Sequence, residues 1–176
     1  MANSNSNPDF LPVQIAVLTV SDTRNIDDDK SGQTLVDRLE AAGHTLADRT
    51  IVPDDELMIV AQLRAWIENP KVDVVLATGG TGVTGRDVTP EAFHSVCEKE
   101  IPGFGEIFRM VSFDKIKTST IQSRATAGVA GGTYLFALPG SPGACKDAWD
   151  EILQYQLDIR HKPCNFAELM PRLKEK

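Results

Sequence analysis

Cysteine is scarce in this chain: Cys97, Cys145 and Cys164 are the only three among 176 residues, and no two of them are close in sequence. An odd number cannot all pair within one chain, and no C-x-x-C spacing points to zinc or redox chemistry. The three are expected to be small buried hydrophobes in a reducing compartment. Long apolar runs are also missing, since none approaches the ~20 residues that span a bilayer. The first residues lack a basic stretch followed by an apolar one, so no secretory signal is read and a cytoplasmic protein is expected. Positive charge is short as well. Eighteen Lys and Arg face twenty-five Asp and Glu, a formal net charge of −7. With no basic stripe, the domain as a whole repels nucleic acid. The three histidines (His44, His94 and His161) stand apart without metal-ligand spacing and are assigned to packing or surface. No Ser/His/Asp or Cys/His arrangement stands out.

What remains is an ordinary globular composition, 41% hydrophobic and 24% charged, of a length that suits one domain. Residues 1–12 are Asn- and Ser-rich and are expected to be a mobile tail. Residues 13–166 form the α/β domain, and residues 167–176 read as a C-terminal extension. Val13–Val20 has the β-branched pattern of a strand buried on both faces. After a polar loop, Ser31 is the expected cap of a helix running to Ala42, with Gly43 as its stop. Leu46–Val52 reads as a second strand. Asp54 or Asp55 then caps a helix carrying Leu57, Ile59, Val60, Leu63 and Ile67, ended by Asn69-Pro70.

Val72–Ala77 is a third buried strand that runs into Thr78-Gly-Gly-Thr-Gly82. Thr89-Pro90-Glu91 predicts a helix start with Thr89 as cap and Pro90 in the first position. A further helix is expected over Phe104–Phe113. Ala125–Ala130 and Thr133–Leu138 are strands joined by the hairpin signal Gly131-Gly132. Ser141-Pro142 opens a last helix running to about Ile159. Strand and helix alternate, which predicts a three-layer α/β/α sandwich around a mainly parallel, mixed sheet. In such sheets ligands bind outside the carboxyl ends of the strands, where four loops rich in Gly, Ser, Thr and Asp are expected to converge.

Three groups of residues carry the candidate chemistry. Gly80 to Gly85 satisfies G-x-G-x-x-G, but Pro90 starts the helix some five residues too late for a dinucleotide fold, and no acid follows at the required distance. That placement argues against a nicotinamide-dependent oxidoreductase. The same stretch misses the P-loop pattern because Arg86-Asp87 replaces Lys-Ser/Thr. The shared physics survives: glycines let Thr78, Gly79, Gly80, Thr81 and Gly82 bring main-chain N–H groups close to an anion. Pro139-Gly140-Ser141 is a second strand-to-helix turn suited to a phosphate or carboxylate, although Ser141 can equally do no more than cap its own helix. The acids Asp54, Asp55 and Asp87 would repel an anionic substrate unless a divalent cation lay between, and Mg²⁺ takes one or two carboxylates plus phosphate oxygens. Asp54 and Asp87 are therefore candidate Mg²⁺ ligands, with a helix cap and a loop turn as the competing roles. Ser21 and Asp22 close the first strand at the same edge. Glu106 and Arg109 lie three apart, as in a helix ion pair, and Ser123-Arg124 can face the cleft.

Taken in order, Leu18-Thr-Val-Ser21, Ala77-Thr-Gly-Gly-Thr-Gly82, Arg86-Asp-Val-Thr-Pro-Glu-Ala92, Pro102-Gly-Phe-Gly-Glu106, Ser123-Arg124 and Leu138-Pro-Gly-Ser141 closely resemble the MoaB/MogA family of molybdenum cofactor biosynthesis proteins. The resemblance spans about residues 13–166, and its closing Lys162-Pro-Cys-Asn-Phe166 is similar to the MoaB branch. It implies an α/β/α fold that binds molybdopterin, a pterin dithiolene with a terminal phosphate. Active members adenylylate that phosphate with ATP and Mg²⁺ and release pyrophosphate. The family's two functional aspartates match Asp54 and Asp87. Some MoaB-branch members lack the first, whereas this chain has both, which favours an active adenylyltransferase. The resemblance further implies a homotrimer or homohexamer. A non-catalytic molybdopterin carrier and molybdenum insertion into adenylylated molybdopterin are the alternatives within the same family.

Overall fold

A computed structural model describes residues 8–175, so the start of the Asn- and Ser-rich tail, residues 1–7, lies outside the described residues. Six strands form one sheet: β1 (Gln14–Val20), β2 (Thr45–Val52), β3 (Val74–Thr78), β4 (Lys99–Glu100), β5 (Thr126–Ala130) and β6 (Thr133–Leu138), in spatial order β2-β1-β3-β6-β5-β4. The four strands β2, β1, β3 and β6 run parallel, and β5 turns back against β6 through the hairpin. Gly131 and Gly132 both have positive φ, 58° and 87°, as a two-residue turn matching the twist of the strands requires.

The helices are α1 (Lys30–Ala41), α2 (Glu56–Ile67), α3 (Thr89–Val96), α4 (Pro102–Ile116) and α5 (Pro142–Ala148). They cover both faces because the central strands are apolar on both. Ile15 and Val17 of β1 join Leu35, Leu39, Phe104, Phe108 and Trp149 in one core. Ala16, Leu18 and Val20 join Ile59, Leu63, Trp66 and Phe93 in the other. So α1, α4 and α5 lie on one face, and α2 and α3 on the opposite face. Among the described residues, no helix is long and apolar enough to cross a membrane.

Several local expectations are corrected. The cap of α1 is Asp29, not Ser31; its Oδ1 accepts from Gly32 N–H at 2.9 Å, while Thr19 and Arg49 hold Oδ2 at 2.7 and 3.0 Å. Thr89 is not the cap of α3 but its first residue, because its hydroxyl is taken by the Gly79 carbonyl at 2.8 Å. Leu57 is 79% exposed, since α2 buries the stripe Ile59, Leu63, Trp66 instead. The last helix passes into a π turn at Trp149–Leu153 and stops at Gln156, short of Ile159. A short helix at Phe166–Leu169 follows, and Phe166, Met170 and Leu173 rest on the first core. The two-residue edge strand β4 and the 3₁₀ segment Lys117–Gln122 leave no periodic signal in the sequence.

Candidate functional site

The sheet sets the place of the site. After β3 the chain turns onto one face through α3, and after the neighbouring β6 onto the other through α5, so the loops following these strands diverge and leave a crevice at their carboxyl ends. The loops there are packed too tightly for side chains. Gly79 has φ 109°, and a Cβ on it would lie 2.1 Å from the Val20 carbonyl oxygen. Gly80 has φ 62°, and a Cβ there would lie 2.4 Å from Thr89 Oγ1 and 3.1 Å from Asp54 Oδ1. Only glycine meets both constraints.

The end of β3 is bolted to the end of β6. The Gly79 N–H donates to the Leu138 carbonyl at 3.0 Å, and the Thr78 hydroxyl donates to the Pro139 carbonyl at 3.0 Å. Thr78 is fully buried and also accepts from the Cys145 thiol at 3.2 Å. Thr78 and Gly79 therefore support the site from beneath. The next two amides along the loop, those of Gly80 and Thr81, donate to no backbone acceptor among the described residues.

Above this floor lies a cavity of about 400 Å³. Gly80, Thr81, Gly82 and Asp87 line it on one side, Pro139, Gly140 and Ser141 on another, and Ser123 at its rim. Eight of the residues picked from the sequence thus share one hollow. Its remaining wall is Phe108, Ser112 and Ile116 of α4 with Ser119, Thr120 and Gln122 of the 3₁₀ segment. Sequence reasoning missed that wall, because hydroxyls scattered through a helix and its tail carry no local mark of a site. Ser141 does cap α5, accepting from Ala144 N–H at 3.1 Å, while still lining the cavity.

Ser21, Asp22 and Asp54 sit on the β1 side of the glycine loop and do not line the cavity. The Ser21 hydroxyl accepts from the Thr23 and Arg24 N–H groups and shapes its own loop. Asp55, not Asp54, caps α2, its carboxylate accepting from Met58 N–H at 3.0 Å, so the Asp54 carboxylate is left unspent by the helix. Asp22 pairs with Arg86 and accepts from the Asp54 N–H at 3.1 Å. Glu106 is set apart. It lines a surface groove of about 550 Å³ with Ile107, Met110 and Phe113. Among the described residues it makes no ion pair with Arg109, whose guanidinium donates to the Ala125 carbonyl at 3.3 Å. A further hollow of about 470 Å³ beside Phe104, Ile152 and Phe166 is mostly apolar and holds none of the candidate residues.

The carboxylates differ in electrostatics. The Arg86 hydrogen bond, helped by the Asp54 N–H, holds Asp22 below the usual carboxylate range. Asp54 is pushed upward, first by burial and then by the charge of Asp22, with Asp87 adding to it. Burial works against the charge of Asp87 too, but the Thr84 hydroxyl and N–H, the Gly82 N–H and the Arg124 charge outweigh it and leave Asp87 low. The two Thr84 contacts measure 2.6 and 2.8 Å, so Asp87 does close its own loop turn as well. No group of three metal-ligating side chains is present among the described residues. The donor set suits a cation that arrives with phosphate oxygens of its own rather than one caged by protein alone. The negative charge crowding Asp54 is what such an ion would relieve.

The other reactive types are quiet. Burial pushes the Cys145 thiol up to about 12 and the half-buried Cys97 up to about 11, while Cys164 is exposed, against expectation. His44 is a packing residue: its Nδ1 accepts from Val13 N–H at 3.2 Å, and its ring lies against Phe10 and Trp149.

A family described as "Probable molybdopterin binding domain" matches residues 16–159. Molybdenum cofactor biosynthesis protein B of Escherichia coli K12 is 51% identical over 167 residues, covering 95% of this chain and 96% of that protein. The protein of the same name from Bacillus subtilis is 46% identical over 142 residues, covering 80% and 84%. Among solved structures, a molybdenum cofactor biosynthesis protein B superposes with a TM-score of 0.85 at 39% identity, covering 94% and 98% of the two chains. The tungsten cofactor synthesizing protein MoaB of Pyrococcus furiosus superposes with a TM-score of 0.77 at 32% identity, covering 93% and 98%.

Proposed function

Because this chain belongs to the molybdopterin-binding domain family of molybdenum cofactor biosynthesis, we propose that it transfers the adenylyl group of ATP to the terminal phosphate of molybdopterin, with release of pyrophosphate. One observation carries the reading: a single three-residue stretch touches both acids. The Cβ position of Gly80 lies 3.1 Å from Asp54 Oδ1, and that of Gly82 lies 2.8 Å from Asp87 Oδ2. Two carboxylates thus flank main chain whose amides, at Gly80 and Thr81, would bind an anion.

In this reading the cavity between the glycine loop, Pro139–Ser141 and α4 receives the pterin and its phosphate. Asp54 and Asp87 would hold Mg²⁺ together with the nucleotide, and the ion would supply charge neutralisation at the ATP phosphates. The molybdopterin phosphate oxygen attacks the α-phosphorus and the pyrophosphate oxygen leaves. The chain's own contribution is orientation: the bolted ends of β3 and β6 hold the two loops at a constant separation, so the reacting oxygen and phosphorus are aligned without a protein nucleophile. Homo-oligomeric assembly belongs to the same reading, since Ile107, Met110 and Phe113 leave an exposed apolar side on α4.

Incubating the protein with molybdopterin, α-labelled ATP and Mg²⁺ tests the proposal. Label should pass to the pterin in step with pyrophosphate release. Pterin binding with no pyrophosphate would instead favour a carrier. Asp87→Asn should lower turnover by about 10²-fold or more, the scale of one lost electrostatic contact in a dry site, while pterin affinity stays within a few-fold. Equal losses in both would remove Asp87 from the chemistry.

A further inference from the structure

The guanidinium of Arg124 holds the glycine loop at both ends. Its Nε donates to the Gly82 carbonyl at 2.6 Å, one Nη donates to the Asp87 carbonyl at 2.6 Å, and the other Nη pairs with Glu91 in the first turn of α3. Its own N–H donates to the Thr81 carbonyl at 2.9 Å. Residues 82–87 have few other ties. Within the loop, Asp87 N–H donates to the Thr84 carbonyl at 3.1 Å, and Thr84 donates twice to the Asp87 carboxylate. Two glycines make the loop costly to order. Charge-assisted bonds to its two end carbonyls offset that cost and determine where the turn sits. Arg124 itself does not line the cavity, although its neighbour Ser123 does.

We infer that Arg124 is a positioning residue for Asp87: its planar fork spans the two ends of the glycine loop and so aims the Asp87 carboxylate at the cavity floor. Lysine carries the same charge but, as a single point donor, cannot reach two carbonyls and a carboxylate at once. The consequence for turnover rests on the adenylylation reading; the aiming of Asp87 does not. Removing the fork should loosen the loop while leaving the sheet intact, because Gly79, Thr78 and Thr89 tie the strand end independently.

The test compares wild type, Arg124→Lys and Arg124→Met as full chains without ligand, by amide exchange. In both variants the Thr84 amide should exchange about 10-fold faster, the equivalent of one net hydrogen bond, while Val75 and Leu76 in β3 keep wild-type rates. With ATP, molybdopterin and Mg²⁺, the Mg²⁺ concentration for half-maximal pyrophosphate release should rise several-fold with pterin affinity unchanged. Wild-type exchange at Thr84, full recovery by Arg124→Lys, or loss of protection spreading through the sheet would each overturn the assignment. An Asp87 that loosens with unchanged Mg²⁺ dependence would overturn its bearing on catalysis. A wild type that releases no pyrophosphate would sink the adenylylation reading alone, because amide exchange needs no ATP.

Discussion

Asp54 and Asp87 show how two identical side chains acquire opposite tendencies from their surroundings. Thr84, Gly82 and Arg124 surround Asp87 with donors, so its charge is comfortable. Asp54 is half-buried beside Asp22 and its charge is not. The sign of the stability effect follows. A carboxyl whose pKa rises on folding binds its proton more tightly in the folded chain. Stability is then greatest below the ordinary value of 3.8 and is lost as pH climbs through the raised folded value. At neutral pH the unliganded protein therefore carries a strained charge at Asp54. Asp54→Asn should raise the thermal midpoint at pH 7 by a small amount, on the order of a degree or two, with no gain near pH 3, where both states are protonated. The same variant should lose pyrophosphate release, the trade expected where a site keeps an unfavourable charge for function. A lowered midpoint at pH 7 would show that Asp54 is held by contacts that stabilise its ionised form.

At the scale of elements, α4 is the informative one, because two of its glycines face different surroundings. Gly103 has open space where a Cβ would go, whereas a Cβ on Gly105 would lie 2.5 Å from the Ala125 carbonyl oxygen and about 3 Å from the Arg109 guanidinium. Gly103→Ala should stabilise by about 0.5–1 kcal/mol, the helix-propensity difference. Gly105→Ala should destabilise by about 1–3 kcal/mol through overpacking against β5. Chemical denaturation of both variants reads the contrast directly; equal effects would mean that α4 does not press on β5 as described. Nothing in Pro102-Gly-Phe-Gly105 distinguishes the two glycines, and that is the general limit of the sequence here. Strand positions, the hairpin and the glycine loop were legible because buried β-branched runs and paired glycines mark them locally. The cap of α1 was not, since Asp27, Asp28 and Asp29 look alike until Thr19 and Arg49, from other strands, select the third. The α4 and 3₁₀ wall of the cavity was illegible for the same reason, as it becomes a wall only when β6 brings Pro139–Ser141 opposite.

For the whole molecule, the apolar side chains left outside matter most. Phe104, Phe108 and Ser112 recur every four residues and bury one side of α4, while Ile107, Met110 and Phe113 recur every three along another and stay exposed, with Ile121 just beyond. On a chain with net charge −7, a row of large apolar groups along one helix calls for a partner surface. A ring of identical copies supplies one when this patch meets a different patch on its neighbour. The same helix forms a wall of the cavity through Phe108, Ser112 and Ile116, and Thr120 lies between the cavity and the exposed groove. Assembly would then stiffen the proposed pterin site from behind. If the proposed assembly forms, Met110→Glu combined with Phe113→Glu should convert it to monomer by sedimentation, because charge placed in an apolar contact is left unpaired. Far-ultraviolet circular dichroism should be unchanged, since neither side chain enters a core. Pterin affinity should fall with the loss of assembly. A wild type that sediments as a monomer would remove the assembly, and a monomeric variant with full pterin affinity would separate it from the site.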